Sequence, residues 1–178
     1  MITFMQHNES GFEAVQEPIS GGWINLVAPT PEEVARLQAL GIPQDYITYA
    51  LDIDERPRTE RENGDLLILL RVPRFQGHSA DIPYTTVPLG IIVTQDYLVT
   101  VCRHETDVIQ ELATRRAKYP SVGRPNRFIL RLLLITAGQY LSHLREINRI
   151  VEALEDKLQL STRNQEVLEL LKYQKSLT

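Results

Sequence analysis

The fold is decided by the stretch Ile91-Ile-Val-Thr-Gln-Asp-Tyr-Leu-Val-Thr100, which has the pattern of two β-strands joined by a tight turn. β-Branched and aromatic residues fill both halves and favour extended backbone, and Gln95-Asp96 lies between them where a hairpin would reverse. The apolar pattern extends back to Thr85 and forward to Cys102. We therefore predict a β-hairpin with strands Thr85–Thr94 and Tyr97–Cys102, around which a larger sheet is built.

Four further segments have the same strand-like composition. They are rich in β-branched and aromatic residues and are bounded by Gly, Pro, Asn or Asp. These segments are Ile2–Gln6, Phe12–Val15, Trp23–Val27 and Leu66–Pro73. Together with the hairpin they predict a sheet of six or seven strands.

Helix signals separate the predicted strands. Thr30-Pro31-Glu32-Glu33 combines an N-cap, a proline at the first helical position and a capping-box glutamate, and Gly41 ends the short helix that follows. A second helix is predicted from 42–45 through Leu51, with Arg56-Pro57 stopping it because proline cannot continue a helix. A third is predicted over about 106–119.

From Pro125 onward the pattern is that of one long helix. Its apolar seam recurs at alternating steps of four and three, as in a coiled coil. The seam consists of Tyr140, Leu144, Ile147, Val151, Leu154 and Leu158. Thr162 and Gln165 resemble a second capping box that restarts the helix, which reaches Thr178 without a stop signal. We expect the seam to be exposed and in need of a partner, and the natural chain to continue.

These elements predict an α/β (α+β) fold, in which a mixed β-sheet is sandwiched between helices and followed by a long C-terminal helical hairpin. Residues 1–124 would form the sheet with its covering helices and residues 125–178 the hairpin, within one structural domain. A length of 178 residues suits one substantial core.

The amino-acid composition limits the class of protein and the partners that it could have. With 43% hydrophobic and 24% charged residues and a mean hydropathy of -0.20, the chain has the composition of a protein that folds in water. A net charge of -4 without a long block of either sign argues against nucleic acid as a partner. The one cysteine, Cys102, suits a reducing compartment, and no stretch has the roughly 20 apolar residues of a spanning helix.

The most distinctive polar cluster is formed by Asp52, Asp54 and Glu55 at the end of the second predicted helix. Three carboxylates lie where the helix dipole disfavours negative charge, so something must offset them. A hard cation such as Mg²⁺ or Ca²⁺ with water in its shell is one candidate. The alternative is local, with Arg56 and Arg58 neutralising the acids in a solvated turn.

Catalytic motifs are absent from the sequence, which has no Gly-x-Ser-x-Gly, phosphate-binding glycine loop, His-Glu-x-x-His or Cys-x-x-Cys. A hydrolase built on the three acids would lack a histidine or further acid to complete it. We predict that the chain is not an enzyme.

Several segments, taken in order and spacing, resemble the soluble N-terminal domain of CorA-type magnesium and divalent-cation transporters. They are Trp23-Ile-Asn-Leu26, Pro29–Glu33, Leu51–Glu60 with its Glu-Arg-Pro-Arg core, Leu66–Pro73 and the hairpin at 91–100. The resemblance covers essentially the whole chain, whereas the Gly-Met-Asn pore motif of the family is missing.

The resemblance implies a cytoplasmic, magnesium-sensing domain of a homopentameric membrane transporter, whose membrane contact lies in C-terminal helices outside this chain. Mg²⁺ is the implied ion, with Co²⁺, Ni²⁺ or Zn²⁺ as alternatives. The acidic pair of the family corresponds here to Thr48 and Tyr49, so Asp52, Asp54 and Glu55 are the candidate regulatory ligands. The alternative function is a stand-alone adaptor that binds another helix through the 140–158 seam.

Overall fold

The computed structural model describes residues 1–8, 11–114, 125–160 and 164–177. The strands are β1 (Ile2–Asn8), β2 (Gly11–Val15), β3 (Gly22–Val27), β4 (Arg58–Glu62), β5 (Asp65–Phe75), β6 (Tyr84–Val93) and β7 (Tyr97–Cys102). The helices are α1 (Pro31–Ala39), α2 (Gln44–Leu51), α3 (Asp107–Thr114), α4 (Pro125–Leu160) and α5 (Asn164–Lys175). No helix within these ranges is both long and apolar enough to cross a bilayer.

The strands form one mixed sheet in the order β2-β1-β3-β7-β6-β5-β4. Neighbouring strands pair antiparallel except β3 and β7, which pair parallel. The predicted hairpin is β6–β7, where the Thr94 amide donates to the Tyr97 carbonyl at 2.9 Å. The predicted fold class, a mixed sheet with helices on both faces and a long C-terminal helix, is confirmed.

A separate apolar core fills each face of the sheet. Helices α1 and α2 pack on one face through Leu37, Tyr46, Ile47 and Ala50. Helix α3 and the first half of α4 cover the other face through Val108, Ile109, Leu112, Phe128, Leu132 and Ile135. The long helix therefore begins as part of the core of the sheet.

A buried polar chain ties the parallel strands β3 and β7 together. The Trp23 indole N–H donates to the Thr100 hydroxyl at 2.8 Å, and that hydroxyl donates to Asn25 Oδ1 at 2.9 Å. Thr100 is directly opposite Asn25 in the register. Trp23 and Asn25 share a face because they are two residues apart in a strand.

The long helix predicted from Pro125 is confirmed, but the expectation that its whole seam is exposed is wrong. Helix α5 covers part of it, since Ile147 and Leu154 are buried in a small cluster with Tyr84 and Tyr173. The 140–158 seam is thus covered in large part within the chain. This removes the main reason for interpreting the chain as an adaptor that binds another helix. Leu144 alone among the seam leucines described is more than 40% exposed.

The predictions of where individual helices begin and end had different outcomes. The Thr30–Glu33 capping box is confirmed by both of its hydrogen bonds. Helix α2 ends at Leu51, ahead of Arg56-Pro57, so proline is not what stops it. Helix α3 is described only to Thr114, and the rest of the predicted 106–119 helix lies outside the described residues, as does the Thr162 cap.

Candidate acidic loop between α2 and β4

The acidic loop, defined as residues 52–55, connects the end of α2 to the segment before β4. Helix α2 ends because Asp52 adopts an extended backbone, with φ -79° and ψ 118°. Its N–H still donates to the carbonyls of Thr48 and Tyr49, at 3.2 and 3.3 Å. The first carboxylate therefore lies at the negative end of the helix dipole, as expected from the sequence.

A turn inside the loop fixes Asp52 and Asp54 relative to one another. The Asp54 amide donates to Asp52 Oδ1 at 3.0 Å, and the Glu55 amide donates to the Asp52 carbonyl at 3.2 Å. Both aspartates are exposed. The turn uses one oxygen of Asp52 and leaves the Asp54 side chain outside these hydrogen bonds.

Glu55 differs from the aspartates because it is half-buried and paired with a cation of its own chain. It forms an ion pair with Arg58, which also pairs with Glu60 on β4. The Glu55 Oε1 also accepts from the backbone N–H of Arg56 at 3.0 Å. The hydrogen bond to Glu60, and after it the bond to Glu55, raises the pKa of the Arg58 guanidinium. The local alternative therefore describes Glu55, whereas Asp52 and Asp54 form no ion pair with any described residue.

Arg71 of β5 fixes the backbone of the acidic loop by hydrogen bonds. Its guanidinium donates to the carbonyls of Ile53 and Glu55, at 3.0 and 3.3 Å. It also donates to the hydroxyl and the carbonyl of Thr86 on β6, at 2.8 and 3.0 Å. Because its donors are used on carbonyls and a hydroxyl, its positive charge lies close to the loop without neutralising a particular carboxylate.

The same arginine connects the loop to the long helix. The Tyr140 hydroxyl on α4 donates to the Arg71 carbonyl at 3.3 Å. The acidic loop, one residue of β5 and α4 are therefore linked by consecutive hydrogen bonds. Burial raises the pKa of Tyr140, so its hydroxyl remains a donor at neutral pH.

The sequence placed the three acids in one short loop, and the structure separates their environments. Thr48 and Tyr49 also have local partners: the Thr48 hydroxyl donates to the Gln44 carbonyl at 3.1 Å, and the centroid of the Tyr49 ring lies 4.7 Å from the Arg58 guanidinium carbon. Among the described residues, no three His, Cys, Asp or Glu side chains converge as a metal-binding group. A cation at this loop would need further ligands from water or from another chain.

Sequence reasoning did not identify Arg71 as part of this site. The available signal was an arginine inside the apolar strand Leu66–Pro73, where a charged residue needs a specific partner.

Comparison with known proteins agrees with this fold. A family model described as CorA-like Mg²⁺ transporter protein matches residues 20–178. The cobalt/magnesium transport protein CorA of Methanocaldococcus jannaschii is 30% identical over 139 residues, which is 77% of this chain and 41% of that protein. This chain therefore spans less than half of that curated relative.

Two solved structures share the architecture closely. The complete CorA magnesium transporter from Methanocaldococcus jannaschii superimposes with a TM-score of 0.82 at 23% identity, over 99% of this chain and 57% of that one. The soluble domain of the same organism's CorA gives 0.81 at 24% identity, over 99% and 72% of the two chains. The family match over most of the chain, together with this shared fold, establishes that the chain belongs to the family of CorA-like Mg²⁺ transporter proteins.

Proposed function

We propose that this chain is the cytoplasmic, ion-sensing domain of a CorA-like transporter that moves Mg²⁺ across the membrane as a homo-oligomer, a pentamer in the full-length protein. Family membership and the fold shared with a CorA soluble domain support this proposal. Co²⁺, Ni²⁺ and Zn²⁺ are the alternative ions. The proposal assigns regulation to this domain, and it assigns no catalytic step.

The observation that carries the sensing role is the exposed pair Asp52 and Asp54, held in a fixed turn at the negative end of α2. A divalent cation there would relieve repulsion between two like charges and the helix dipole. Mg²⁺ commonly binds through one or two carboxylates and keeps several waters, so two aspartates suffice as this chain's share. Glu55 would join them only by leaving Arg58.

The hydrogen bonds of Arg71 provide a route from the loop to the rest of the domain. Ion binding that shifts the carbonyls of Ile53 or Glu55 would alter their hydrogen bonds from the Arg71 guanidinium. The backbone carbonyl of Arg71 in turn accepts a hydrogen bond from the Tyr140 hydroxyl. An ion that binds one arrangement of these elements better than another stabilises that arrangement by the difference in binding free energy.

Thermal unfolding of the full-length transporter in detergent, with and without Mg²⁺, tests this proposal. At a concentration ten times the dissociation constant, binding to the folded state adds about 1.4 kcal/mol of stability and raises Tm. We expect Asp52→Asn with Asp54→Asn to remove most of this increase, because asparagine keeps the turn's hydrogen-bond acceptor and loses the charge.

The matched control is Asp81→Asn with Glu152→Gln, which removes two exposed carboxylates at other places on the surface. The control should keep the full Mg²⁺ response. An undiminished Tm increase in the Asp52/Asp54 variant would exclude the loop as the sensor, and equal losses in both variants would indicate nonspecific charge screening.

A further inference from the structure

The parallel strands β3 and β7 lie side by side, and the chain leaves their carboxyl ends toward opposite faces of the sheet. After β3 the chain passes to α1, which packs on one face. After β7 it passes to α3, which packs on the other face. Two neighbouring parallel strands with connections of this kind leave a crevice between the connections, and open α/β sheets bind their ligands in such crevices.

The backbone at the end of β3 produces this separation. Val27 is opposite Cys102 in the register, and the Ala28 N–H donates to the Cys102 carbonyl at 3.0 Å. The two strands therefore stay together to their last residues. Ala28 then adopts a φ of 42°, a left-handed conformation that is unfavourable for a residue with a Cβ. The chain turns there toward α1, whereas it continues past Cys102 toward α3.

Three basic side chains lie at this end of the sheet. Arg103 and His104 directly follow β7, and Arg74 is the last residue but one of β5. Strands β5 and β7 run in the same direction because each pairs antiparallel with β6, so their carboxyl ends are at the same end of the sheet. Arg74 comes two residues after Val72, which is buried in the core under α3, and the two side chains therefore share a face.

The three basic groups are close enough to act on one another. Burial lowers the pKa of the His104 imidazole, and the positive charges of Arg74 and Arg103 lower it further. Burial raises the pKa of the neighbouring Cys102 thiol, and the charge of Arg74 is among the effects that oppose this rise. Like charges gathered in this way repel one another, and an anion between them would turn the repulsion into attraction.

No carboxylate among the described residues neutralises this cluster. Arg74, Arg103 and His104 form no ion pair within that part of the chain. Arg74 and His104 are nevertheless half-buried, and a partly buried cation normally has a partner. The other half-buried arginines of β4 and β5 follow this rule: Arg58 pairs with two glutamates, and Arg71 donates four hydrogen bonds.

The acids nearest in sequence are directed elsewhere. Glu105 and Asp107 are both exposed. The charge of Asp107 acts on His143 of α4, whose pKa it raises against the larger effect of burial. Neither acid contributes to the lowered pKa of His104. The cluster is therefore open to an anion from outside these residues.

We propose that Arg74, Arg103 and His104 form a binding site for a phosphate group at the carboxyl ends of β5 and β7. The planar guanidinium groups offer paired N–H donors that match the oxygens of a phosphate, and a protonated His104 adds a further donor. A doubly charged phosphate suits this set better than a carboxylate, because the three groups together supply up to three positive charges. The site uses none of the residues of the acidic loop and does not depend on the proposed function.

The titration of His104 tests the proposal. Histidine NMR signals of the 178-residue chain are followed against pH in inorganic phosphate and in chloride at equal ionic strength. We expect phosphate to raise the pKa of His104, because a bound anion favours the charged imidazole, and to leave His78 unchanged. His104→Gln identifies the signal. The same His104 titration in both salts would overturn the proposal.

Substitution of the arginines locates the site. Arg74→Gln with Arg103→Gln should weaken phosphate binding at least tenfold, as measured from the chemical-shift changes of the described amides during a phosphate titration. The matched control is Arg61→Gln with Arg145→Gln, which removes two exposed arginines at other places on the surface and should leave binding unchanged. Circular dichroism checks that the variants are folded. Equal weakening in both double variants would indicate nonspecific attraction and overturn the proposal.

Two further probes distinguish the possible sources of the phosphate group. One is adenosine monophosphate, and the other is phosphatidylcholine vesicles with and without phosphatidic acid. Binding of the nucleotide that the Arg74/Arg103 variant loses would assign the site to soluble phosphate esters. Cosedimentation with the acidic vesicles that the same variant loses would assign it to a lipid headgroup. Binding of neither probe, together with no binding of inorganic phosphate, would refute a phosphate site.

Discussion

Replacing Thr100 with valine is expected to destabilise the domain strongly, although the two side chains have nearly the same shape. Thr100 is fully buried, and its hydroxyl accepts from the Trp23 indole at 2.8 Å and donates to Asn25 Oδ1 at 2.9 Å. Valine fills the space and can make neither bond. The substitution therefore leaves a buried N–H donor and a buried carbonyl acceptor without their partner.

The magnitude follows from the number of orphaned groups. Each buried group left unsatisfied costs roughly 1–3 kcal/mol, so two of them cost about 3 kcal/mol after a small gain from the added methyl. That is a large share of the 5–15 kcal/mol typical of a folded domain. For a chain of this size we expect Tm to fall by roughly 6–12 °C.

Trp23 is the only tryptophan of the chain, so its fluorescence reports on this network directly. Urea denaturation followed by tryptophan emission and by circular dichroism gives the free energy of unfolding for Thr100→Val and for the control Thr100→Ser. Serine keeps the hydroxyl and loses one methyl, so it should cost only about 1 kcal/mol. A valine variant within 0.5 kcal/mol of wild type, or a serine variant as unstable as valine, would refute the reasoning.

Two further changes test the packing and the electrostatics. Gly90→Ala on β6 would place its Cβ 2.5 Å from the Ala50 Cβ of α2, so we expect about 1–3 kcal/mol of destabilisation in urea; adding Ala50→Gly should recover part of it, and its failure to do so would contradict a steric cause. Burial lowers the pKa of His143 while Asp107 partly opposes it, so the unfolded chain binds the proton more readily. The lowered pKa therefore costs no stability above the ordinary pKa of about 6.5, and stability falls as pH drops below that value; a Tm–pH profile that His143→Gln does not flatten would argue against this account.

Local patterns predicted the elements whose causes are local. The Thr30–Glu33 cap and the β6–β7 hairpin depend on neighbouring residues alone, and both form as expected. Strand β4 was absent from the predicted strands because four of the five residues of Arg58–Glu62 are charged, as suits an edge strand that must not pair with other chains. Its turn was nevertheless marked by Asn63-Gly64, which adopts φ values of 51° and 92°, as a two-residue hairpin loop requires.

Periodicity showed that α4 has an apolar seam and could not show what covers it. Covering Ile147 and Leu154 depends on where α5 returns along α4, which is a property of the assembled fold. The exposure of Leu130, Leu134 and Leu141 in the first half of α4 escaped notice for a related reason. A sequence that is apolar around the whole helix has a weak period, so the exposed side could be separated from the buried side only by the position of the sheet.

In the candidate site, too, features with local causes could be predicted and features that depend on the assembled fold could not. The sequence was sufficient to identify the three acids, because closely spaced carboxylates at a predicted helix end can be recognised from the order of the residues alone. The sequence could not show which of the three acids pairs with Arg58. It also could not show that Arg71 donates to the loop backbone, since that contact depends on how β5 pairs with β6 beside α2. The Trp-x-Asn pattern of β3, quoted as part of the family resemblance, gains its physical reason only when Thr100 is seen opposite Asn25.

The acidic loop reaches α4 through Arg71 and Tyr140, and this constrains how a cation bound at the loop could act on the rest of the domain. If cation binding favours one position of α4, any other interaction that stabilises that position must strengthen cation binding by an equal free energy, because linkage between binding events is reciprocal. A packed helix with two discrete positions could provide such coupling, because close-packed interfaces switch between arrangements and do not deform continuously.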